Sequence, residues 1–201
     1  MELYNKNNNW YKGNLHTHTK LSDGIFKPSR SIEVYKNKGY DFLAITDHRI
    51  LYKGIEKSDF LILSGVEFDI NDYSEKRKAW HIVGIGMDNE TSVEDILTPI
   101  NEEITPQYYV DSIIKNNGIA ILAHPAWSLL TSDDIMSLKD HLGFEVWNTV
   151  SDTKTNRGDS TIYMDIIAVQ SKYPLIFAAD DTHFYDTDLF GGYIMVNSET
   201  L

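Results

Sequence analysis

The chain has 201 residues, enough for a sizeable core, so residues 1–201 are expected to form a single domain. It contains no cysteine, which excludes disulfides and thiolate metal sites, and its net charge of −12 disfavours nucleic acid as a partner because phosphate backbones attract Lys and Arg. The longest apolar runs are too short to cross a bilayer and the N-terminus lacks an apolar signal segment, so a cytoplasmic protein without membrane contact is expected.

Short apolar runs, rich in Ile, Val and Phe, are predicted to form strands. Most of them are unbroken by polar alternation, which is typical of strands that are buried on both faces. The predicted strands cover residues 41–46, 60–68, 81–86, 119–124, 144–147, 175–179 and 193–196.

Helix signals separate these runs. Thr105 and Pro106 show them most clearly, as a capping residue followed by a proline in the first turn, with Gly118 at the end. The alternation of strands and helices predicts an α/β fold with largely parallel strands, either a compact, incomplete barrel or a doubly wound open sheet. The predicted helices cover residues 28–39, 105–118, 132–143 and 158–172.

The stretch YKGNLHTHTKLSDG (residues 11–24) carries His16 and His18 on either side of one threonine, and Asp23 follows them. Side chains two residues apart on a strand point to the same face. The two imidazoles are therefore expected to converge, as metal ligation requires.

Three further histidines lie at or after the ends of predicted strands: His48 and His183 follow one, and His124 ends one. In parallel α/β folds the functional groups gather at the carboxyl ends of the strands. Histidines that arrive there from four strands are expected to share one rim of the fold.

His81 precedes its predicted strand and would lie at the opposite end from this rim. A hairpin between residues 60–68 and 81–86, with its turn in the polar residues 71–78, would bring the chain back. We therefore predict that His81 lies beside Glu67, within about 5 Å if both bind one ion through bonds of about 2.1 Å.

Carboxylates complete the set of candidate ligands. Asp181 shares one side of an extended segment with His183, whereas Asp23 seen alone could be a turn residue. His141 lies on a predicted helix and is interpreted as a packing or surface residue. Nitrogen and oxygen donors suit Zn, Mn or Fe, and their number predicts about two or three ions. The nine candidate ligands are His16, His18, Asp23, His48, Glu67, His81, His124, Asp181 and His183.

The motifs NLHTHTKLSDG, ITDH, GVE, HIVGIG, LAHP and AADDTH, in this order from Gly13 to about Gly192, resemble those of the PHP superfamily, named after polymerase and histidinol phosphatase. The resemblance implies a distorted (β/α)7 barrel with a trinuclear metal centre that hydrolyses phosphoesters. The segments YKGNLHTHT, FEVWN and DDTH further resemble the carbaryl hydrolase-like metallohydrolases, which cut an ester or a carbamate.

Carried over motif by motif, the resemblance implies three ligand sets in which Glu67 bridges the first and the second metal. The first set is His16, His18, Glu67 and Asp181, the second is Glu67, His81 and His124, and the third is Asp23, His48 and His183.

The leading hypothesis is a phosphoesterase for a small phosphorylated molecule, in which a hydroxide held between metal ions is the nucleophile. Glu67 and Asp181 are the candidate catalytic residues, with Asp181 as a proton acceptor. Basic residues near the motifs are few, so a carboxyl-ester or carbamate hydrolase and a non-catalytic metal-binding module are the alternatives.

Three residues are candidates for substrate binding: Arg49, Trp127 and Asn148. Arg49 directly follows His48 and could bind a phosphate oxygen, or it could pair with a surface carboxylate such as Glu56. Trp127 is expected to shape the pocket, or else to pack a strand against a helix.

Overall fold

The computed structural model describes residues 4–55, 59–71, 78–100, 102–170, 172–184 and 187–201. The strands are β1 (Asn9–Asn14), β2 (Phe42–Ala44), β3 (Leu61–Leu63), β4 (Gly65–Asn71), β5 (Ala79–Ile85), β6 (Ile119–Leu122), β7 (Gly143–Asn148), β8 (Leu175–Ala179) and β9 (Ile194–Ser198). The helices are α1 (Pro28–Asn37), α2 (Val93–Leu97), α3 (Pro106–Lys115), α4 (Ser132–Ser137), α5 (Thr149–Thr155) and α6 (Thr161–Ala168).

The strands form two separate sheets, with the orders β3-β2-β1-β9 and β4-β5-β6-β7-β8. The α/β class is as predicted, but the (β/α)7 barrel is not observed, and the described strands include no closed sheet. The directions are also more mixed than predicted, because β4, β5 and β6 pair antiparallel and β9 pairs antiparallel with β1.

The change of sheet occurs inside the single strand predicted for residues 60–68. β3 pairs parallel with β2, and after Ser64 the chain continues as β4, which pairs with β5. Gly65 allows this close crossing, because a Cβ there would lie 2.5 Å from the carbonyl oxygen of Ile45. One apolar run thus serves both sheets, which the local pattern does not reveal.

Two isolated bridges connect the sheets at one edge. Thr17 pairs with Thr182, and His48 pairs with Glu67, in both cases parallel. Each bridge lies among the candidate ligands, so this edge is where the predicted rim forms.

The core has three layers. Phe42, Ala44, Val83 and Ile121 fill the space between the two sheets. Helices α3, α4 and α6 pack against the second sheet through a large hydrophobic cluster that includes Phe68. Helix α1 covers the first sheet through a third cluster. That third cluster includes Tyr35, Leu43, Ile45 and Ile62.

The helices differ from the prediction mainly at their ends. In α4, Thr131 rather than Ser132 is the N-cap, in a reciprocal capping box with Asp134, and the helix ends at Ser137 because Leu138 is extended. Helices α2 and α5 were not predicted, since five to seven residues are too few to show a helical period. None of the helices in the described residues combines the length and the apolar character needed to cross a membrane.

Candidate metal centre

His16 and His18 lie just past the end of β1, not on a regular strand as predicted. The bridge between Thr17 and Thr182 keeps this segment extended, and the backbone N–H of His18 donates to the carbonyl oxygen of Thr182 at 2.8 Å. The two side chains consequently point the same way, with their Nε2 atoms 3.2 Å apart. The expected convergence is present although the strand has already ended.

Glu67 and Asp181 meet these two imidazoles in the interior. His16 Nε2 lies 3.2 Å from both Glu67 Oε1 and Asp181 Oδ1, and His18 Nε2 lies 3.3 Å from Glu67 Oε2 and 3.0 Å from Asp181 Oδ1. Donor atoms that share an ion through bonds of about 2.1 Å are separated by about 3.0 to 3.4 Å in octahedral or tetrahedral geometry. These four side chains, which we call the inner donors, have the spacing of one coordination shell.

The predicted hairpin is present as the antiparallel pair β4–β5, although residues 72–77 of its turn lie outside the described residues. Its register places Asp69 opposite His81, so Glu67, two residues away on the same face, is a diagonal neighbour of His81. His81 Nδ1 lies 3.0 Å from Glu67 Oε1, and His124 Nε2 lies 3.5 Å from the same oxygen. Glu67 therefore stands between both pairs of histidines.

Asp23, His48 and His183 lie nearer to solvent, and we call them the outer donors. Asp23 Oδ2 lies 3.3 Å from His183 Nε2 and 3.8 Å from His48 Nε2. His18 Nδ1 is 3.4 Å from Asp23 Oδ1, so His18 faces both regions. Three groups of donors are close enough to hold an ion: His18, Asp23, His48 and His183; His16, His18 and Asp181; and His48, Glu67 and His81.

These groups agree with the sets implied by the resemblance in most members and differ in three. Glu67 is absent from the group of His16, His18 and Asp181, and His18 joins the outer donors as well as the inner ones. His48 groups with Glu67 and His81, a place that the resemblance gave to His124. His124 still lies 3.7 Å from Asp181 Oδ2. The structure brings all nine predicted ligands to one edge.

The donors satisfy one another only in part: His81 Nδ1 is hydrogen-bonded to Glu67 Oε1, but other donor atoms have no such partner. Among the described residues, Asp181 Oδ1, His48 Nδ1 and His81 Nε2 are buried atoms without a hydrogen bond. Asp181 Oδ1 and His48 Nδ1 each have a close neighbour of opposite type, at 3.0 Å in both cases, but without hydrogen-bond geometry. Buried polar atoms are rarely left unpaired, so donors that approach without bonding fit a shared cation.

The electrostatics of the inner donors favour positive charge. Burial lowers the pKa of His18, but the carboxylates of Asp181 and Glu67 outweigh it and raise that pKa to about 10. Burial acts against the ionised form of Glu67, but His16 and the other imidazoles hold its pKa well below the usual range. Since protons and metal ions compete for the same donors, divalent ions should bind more weakly as the pH falls.

Glu145 was not among the predicted site residues, yet its carboxylate positions two donors, His16 and His124. Its Oε1 lies 2.8 Å from His16 Nδ1, and its Oε2 accepts from the backbone N–H of His124 at 3.0 Å. A carboxylate at Nδ1 fixes the tautomer that leaves the Nε2 lone pair facing the site. The sequence did carry one signal for Glu145, because it is a charged residue inside the otherwise apolar run FEVW.

Asn148, predicted to bind substrate, is instead fully buried among supporting groups. Its side-chain amide donates to Glu145 Oε2 at 2.7 Å and to Asp181 Oδ2 at 3.2 Å. In a regular strand, residues three apart face opposite ways, but a bulge between Glu145 and Trp147 turns both side chains to the same side.

Asp47 fixes the loop that carries Asp23. Its carboxylate accepts from the backbone N–H and the hydroxyl of Thr19, both at 2.7 Å, and from the hydroxyl of Ser22 at 2.7 Å. Asp47 organises the turn between the first pair of histidines and Asp23.

Two candidate ligands have unusual backbones. His124 has φ 29° and Asp181 has φ 52°, in the left-handed region that residues other than glycine seldom adopt. Such conformations cost about 1–3 kcal/mol and concentrate at functional sites. The positions of these side chains are thus maintained against a local preference.

A cavity of about 390 Å³ opens beside the donors, at the small end of the range for ligand sites. Trp127 lines it, with its ring centroid 4.9 Å from that of His124, as expected for a pocket residue. Arg49 does not line it, because its guanidinium binds both carboxylate oxygens of Asp69, at 2.9 and 3.0 Å. The carboxylate suggested from the sequence, Glu56, lies outside the described residues.

Comparison with known proteins gives a family. The described residues bring His, Asp and Glu donors together in groups that could hold a metal ion. Residues 14–187 match the PHP domain model, so the chain belongs to the PHP domain family. The more specific likeness to the carbaryl hydrolase-like branch stays a prediction.

Individual relatives are distant. An uncharacterized protein of Methanocaldococcus jannaschii is 28% identical over 150 residues, covering 68% of this chain and 81% of that protein. The DNA polymerase/3′-5′ exonuclease PolX of Bacillus subtilis is 27% identical over 148 residues, covering 59% of this chain but 24% of the polymerase. A protein assigned as a metal-dependent phosphoesterase from Bifidobacterium adolescentis has a similar fold, with a TM-score of 0.62 at 14% identity over 93% of this chain and 92% of that one.

Proposed function

We propose that this protein is a metal-dependent phosphoesterase acting on a small phosphorylated molecule in the cytoplasm, with residues 1–201 as one catalytic domain. The observation that carries the proposal is the convergence of nitrogen and oxygen donors, three of whose buried atoms have no hydrogen-bond partner among the described residues. The net charge of −12 and the short match to the polymerase favour a small molecule over nucleic acid.

The donors would hold about two or three ions of Zn, Mn or Fe. In this proposal His16, His18 and Asp181 hold the first, His81 and His124 the second, with Glu67 shared, and Asp23, His48 and His183 the third. When bound, such ions lower the pKa of water and polarise the oxygen under attack, which is the chemistry that phosphoester hydrolysis needs.

The chain's own groups position the reactants. Asp181 is ionised, since its neighbouring imidazoles outweigh burial and hold its pKa below the usual range, so its Oδ1 can accept a proton from the attacking water. Trp127 forms an apolar wall that would hold the leaving group and exclude water from that side of the cavity.

The engagement of Arg49 with Asp69 favours a second candidate. A guanidinium that is bound bidentately to a carboxylate is not available to a phosphate oxygen. A carboxyl-ester or carbamate hydrolase with the same ligands needs no such cation. A non-catalytic metal-binding module is disfavoured, because every donor of the predicted set reaches the site.

The two reactions separate in one assay. The protein, loaded in turn with Mn, Zn and Fe, is tested on p-nitrophenyl phosphate, p-nitrophenyl acetate and a naphthyl methylcarbamate. We expect the phosphate ester to be hydrolysed with the highest kcat/KM. His141→Ala should retain this activity, because His141 lies outside both groups of donors. Turnover of only the acetate or the carbamate would replace the proposal with the second candidate, and no turnover of any substrate would leave the non-catalytic module.

A further inference from the structure

Four residues that line the cavity are not candidate ligands. They are Trp127, from the segment after β6, and Val150, Ser151 and Lys154 from α5. Positions 150, 151 and 154 share one helical face, because residues three and four apart are neighbours on a helix. Within the described part of the chain, Lys154 is the lining residue that carries a permanent positive charge.

Helix α5 is tied to the donors through its first turn. Asn148 accepts from the backbone N–H of Ser151 at 3.0 Å and donates to Asp181 Oδ2 at 3.2 Å. The backbone N–H of Val150 donates to the carbonyl oxygen of Asp180 at 3.0 Å. Lys154 thus projects from a helix whose start is fixed relative to Asp181.

Arg49, which follows His48 in the sequence, binds Asp69 and does not line this cavity. An anion in the cavity would meet Asp23, Glu67 and Asp181, whose charges bound divalent ions would offset. Lys154 would add a positive charge to the lining of the cavity.

We propose that Lys154 binds the phosphate group of the substrate and thereby favours dianionic phosphomonoesters over monoanionic phosphodiesters. This inference rests on the proposed phosphoesterase function and names the substrate class. An ammonium acts as a point charge, and its attraction to an anion grows with the anion's charge. The dianion therefore gains more from Lys154 than the monoanion.

The test compares Lys154→Met with Lys154→Arg and with the control Lys115→Met, which removes a helix-terminal lysine that does not line this cavity. KM and kcat are measured for p-nitrophenyl phosphate and bis(p-nitrophenyl) phosphate. Binding of inorganic phosphate is measured by calorimetry, and circular dichroism checks that each variant is folded.

We expect Lys154→Met to raise KM for the monoester about fivefold to tenfold, with kcat changed less than about twofold and a smaller rise for the diester. The dissociation constant of phosphate should rise in parallel, and Lys154→Arg should restore most of both values. Equal changes for the two esters, or an effect no larger than that of Lys115→Met, would overturn the proposal.

Calorimetry separates this inference from the function on which it rests. If the loaded enzyme binds phosphate but hydrolyses only carboxyl esters, the proposed function fails, and weaker phosphate binding by Lys154→Met would still support the anion site. If the enzyme hydrolyses phosphoesters while phosphate binding is the same in wild type and Lys154→Met, the proposed function stands and the role of Lys154 is wrong.

Discussion

The inner and the outer donors differ in burial although both are built from the same kinds of side chain. The side chains of His16 and Glu67 are 0% and 1% exposed, whereas those of Asp23 and His48 are 52% and 27% exposed. Inner donors are held by buried partners such as Glu145, and Asp23 lies on a loop that Asp47 organises. An ion among the inner donors should therefore bind tightly and stay, and an ion among the outer donors should exchange.

The difference also gives the site a direction. Asp23 and His183 line the cavity and are more exposed than the inner donors, so under the proposed function a substrate would first meet an ion held by the outer donors. Burial removes competing water from the inner donors and strengthens their interactions with charge. The following changes test this contrast, from the largest expected effect to the smallest.

Glu67→Gln should have the largest effect, because Glu67 is an inner donor and also lies 3.0 Å from His48 of the outer donors. The amide keeps the size but loses the charge that neighbouring ions share. We expect elemental analysis to show the loss of most of the bound metal, and kcat to fall by about a hundredfold to a thousandfold, as when a group that stabilises the transition state is removed. Full metal content in this variant would contradict the shared role of Glu67.

Glu145→Gln tests the support behind the inner donors without touching a ligand. The amide is a weaker partner for His16 Nδ1, so the imidazole is less well oriented and less basic. Losing a partner of this kind typically costs about 10–100-fold in metal affinity. The measurement is the dissociation constant of the tightest ion by competition with a chelator, and an unchanged value would show that burial alone holds the inner site.

Asp23→Asn should affect the outer donors alone. The protein is expected to lose about one equivalent of metal and to keep the rest, with activity reduced about tenfold, the lower end of the range for a weakened metal shell. Metal content after dialysis is the measurement. Loss of all bound metal would mean that the two groups of donors form one cooperative site.

His141→Gln tests a histidine outside both groups and should leave metal content unchanged. Burial lowers the pKa of His141, so the folded protein keeps the imidazole neutral while the unfolded chain protonates it near its ordinary pKa of about 6.5. The contribution of neutral His141 to the free energy of unfolding is therefore complete above about pH 6.5. It is lost as the pH falls below about 6.5 toward the lower pKa that His141 has in the folded protein.

In His141→Gln the free energy of unfolding should accordingly depend less on pH below about pH 6.5 than it does in the wild type. The slope should change by less than about 1.4 kcal/mol per pH unit. Urea unfolding of metal-loaded wild type and His141→Gln, compared at several pH values, cancels the contribution of the ligands. Parallel curves would show that His141 is not held neutral by the fold.

Much of the candidate site could be predicted because its residues follow apolar runs. A run of Ile, Val and Phe marks a buried strand, and polar residues after it mark the edge where strands end, as at His48, His124 and His183. Short elements were missed for the converse reason, since α5 has too few residues to show a period. Lys154, on α5, accordingly had no signal.

Substrate residues were predicted less well than ligands. Arg49 follows His48 directly, and proximity in sequence placed it near the site, but the pairing of β4 with β5 supplies Asp69 as its partner. Asn148 directly follows a predicted strand, yet the bulge in β7 turns it inward to Glu145. Both outcomes depend on neighbours that are distant in the chain.

The sequence by itself determined the chemistry of the site: imidazoles and carboxylates without a thiol, ordered after successive apolar runs and before turns. Hydrophobic patterning is local, and it sufficed to locate the strand ends that carry these donors. Only the tertiary structure decided that the run at 60–68 divides between two sheets at Ser64, that Asp69 faces His81, and that α5 completes the cavity wall. These features arise from hydrogen-bond register and packing between segments far apart in the chain, which no local pattern encodes.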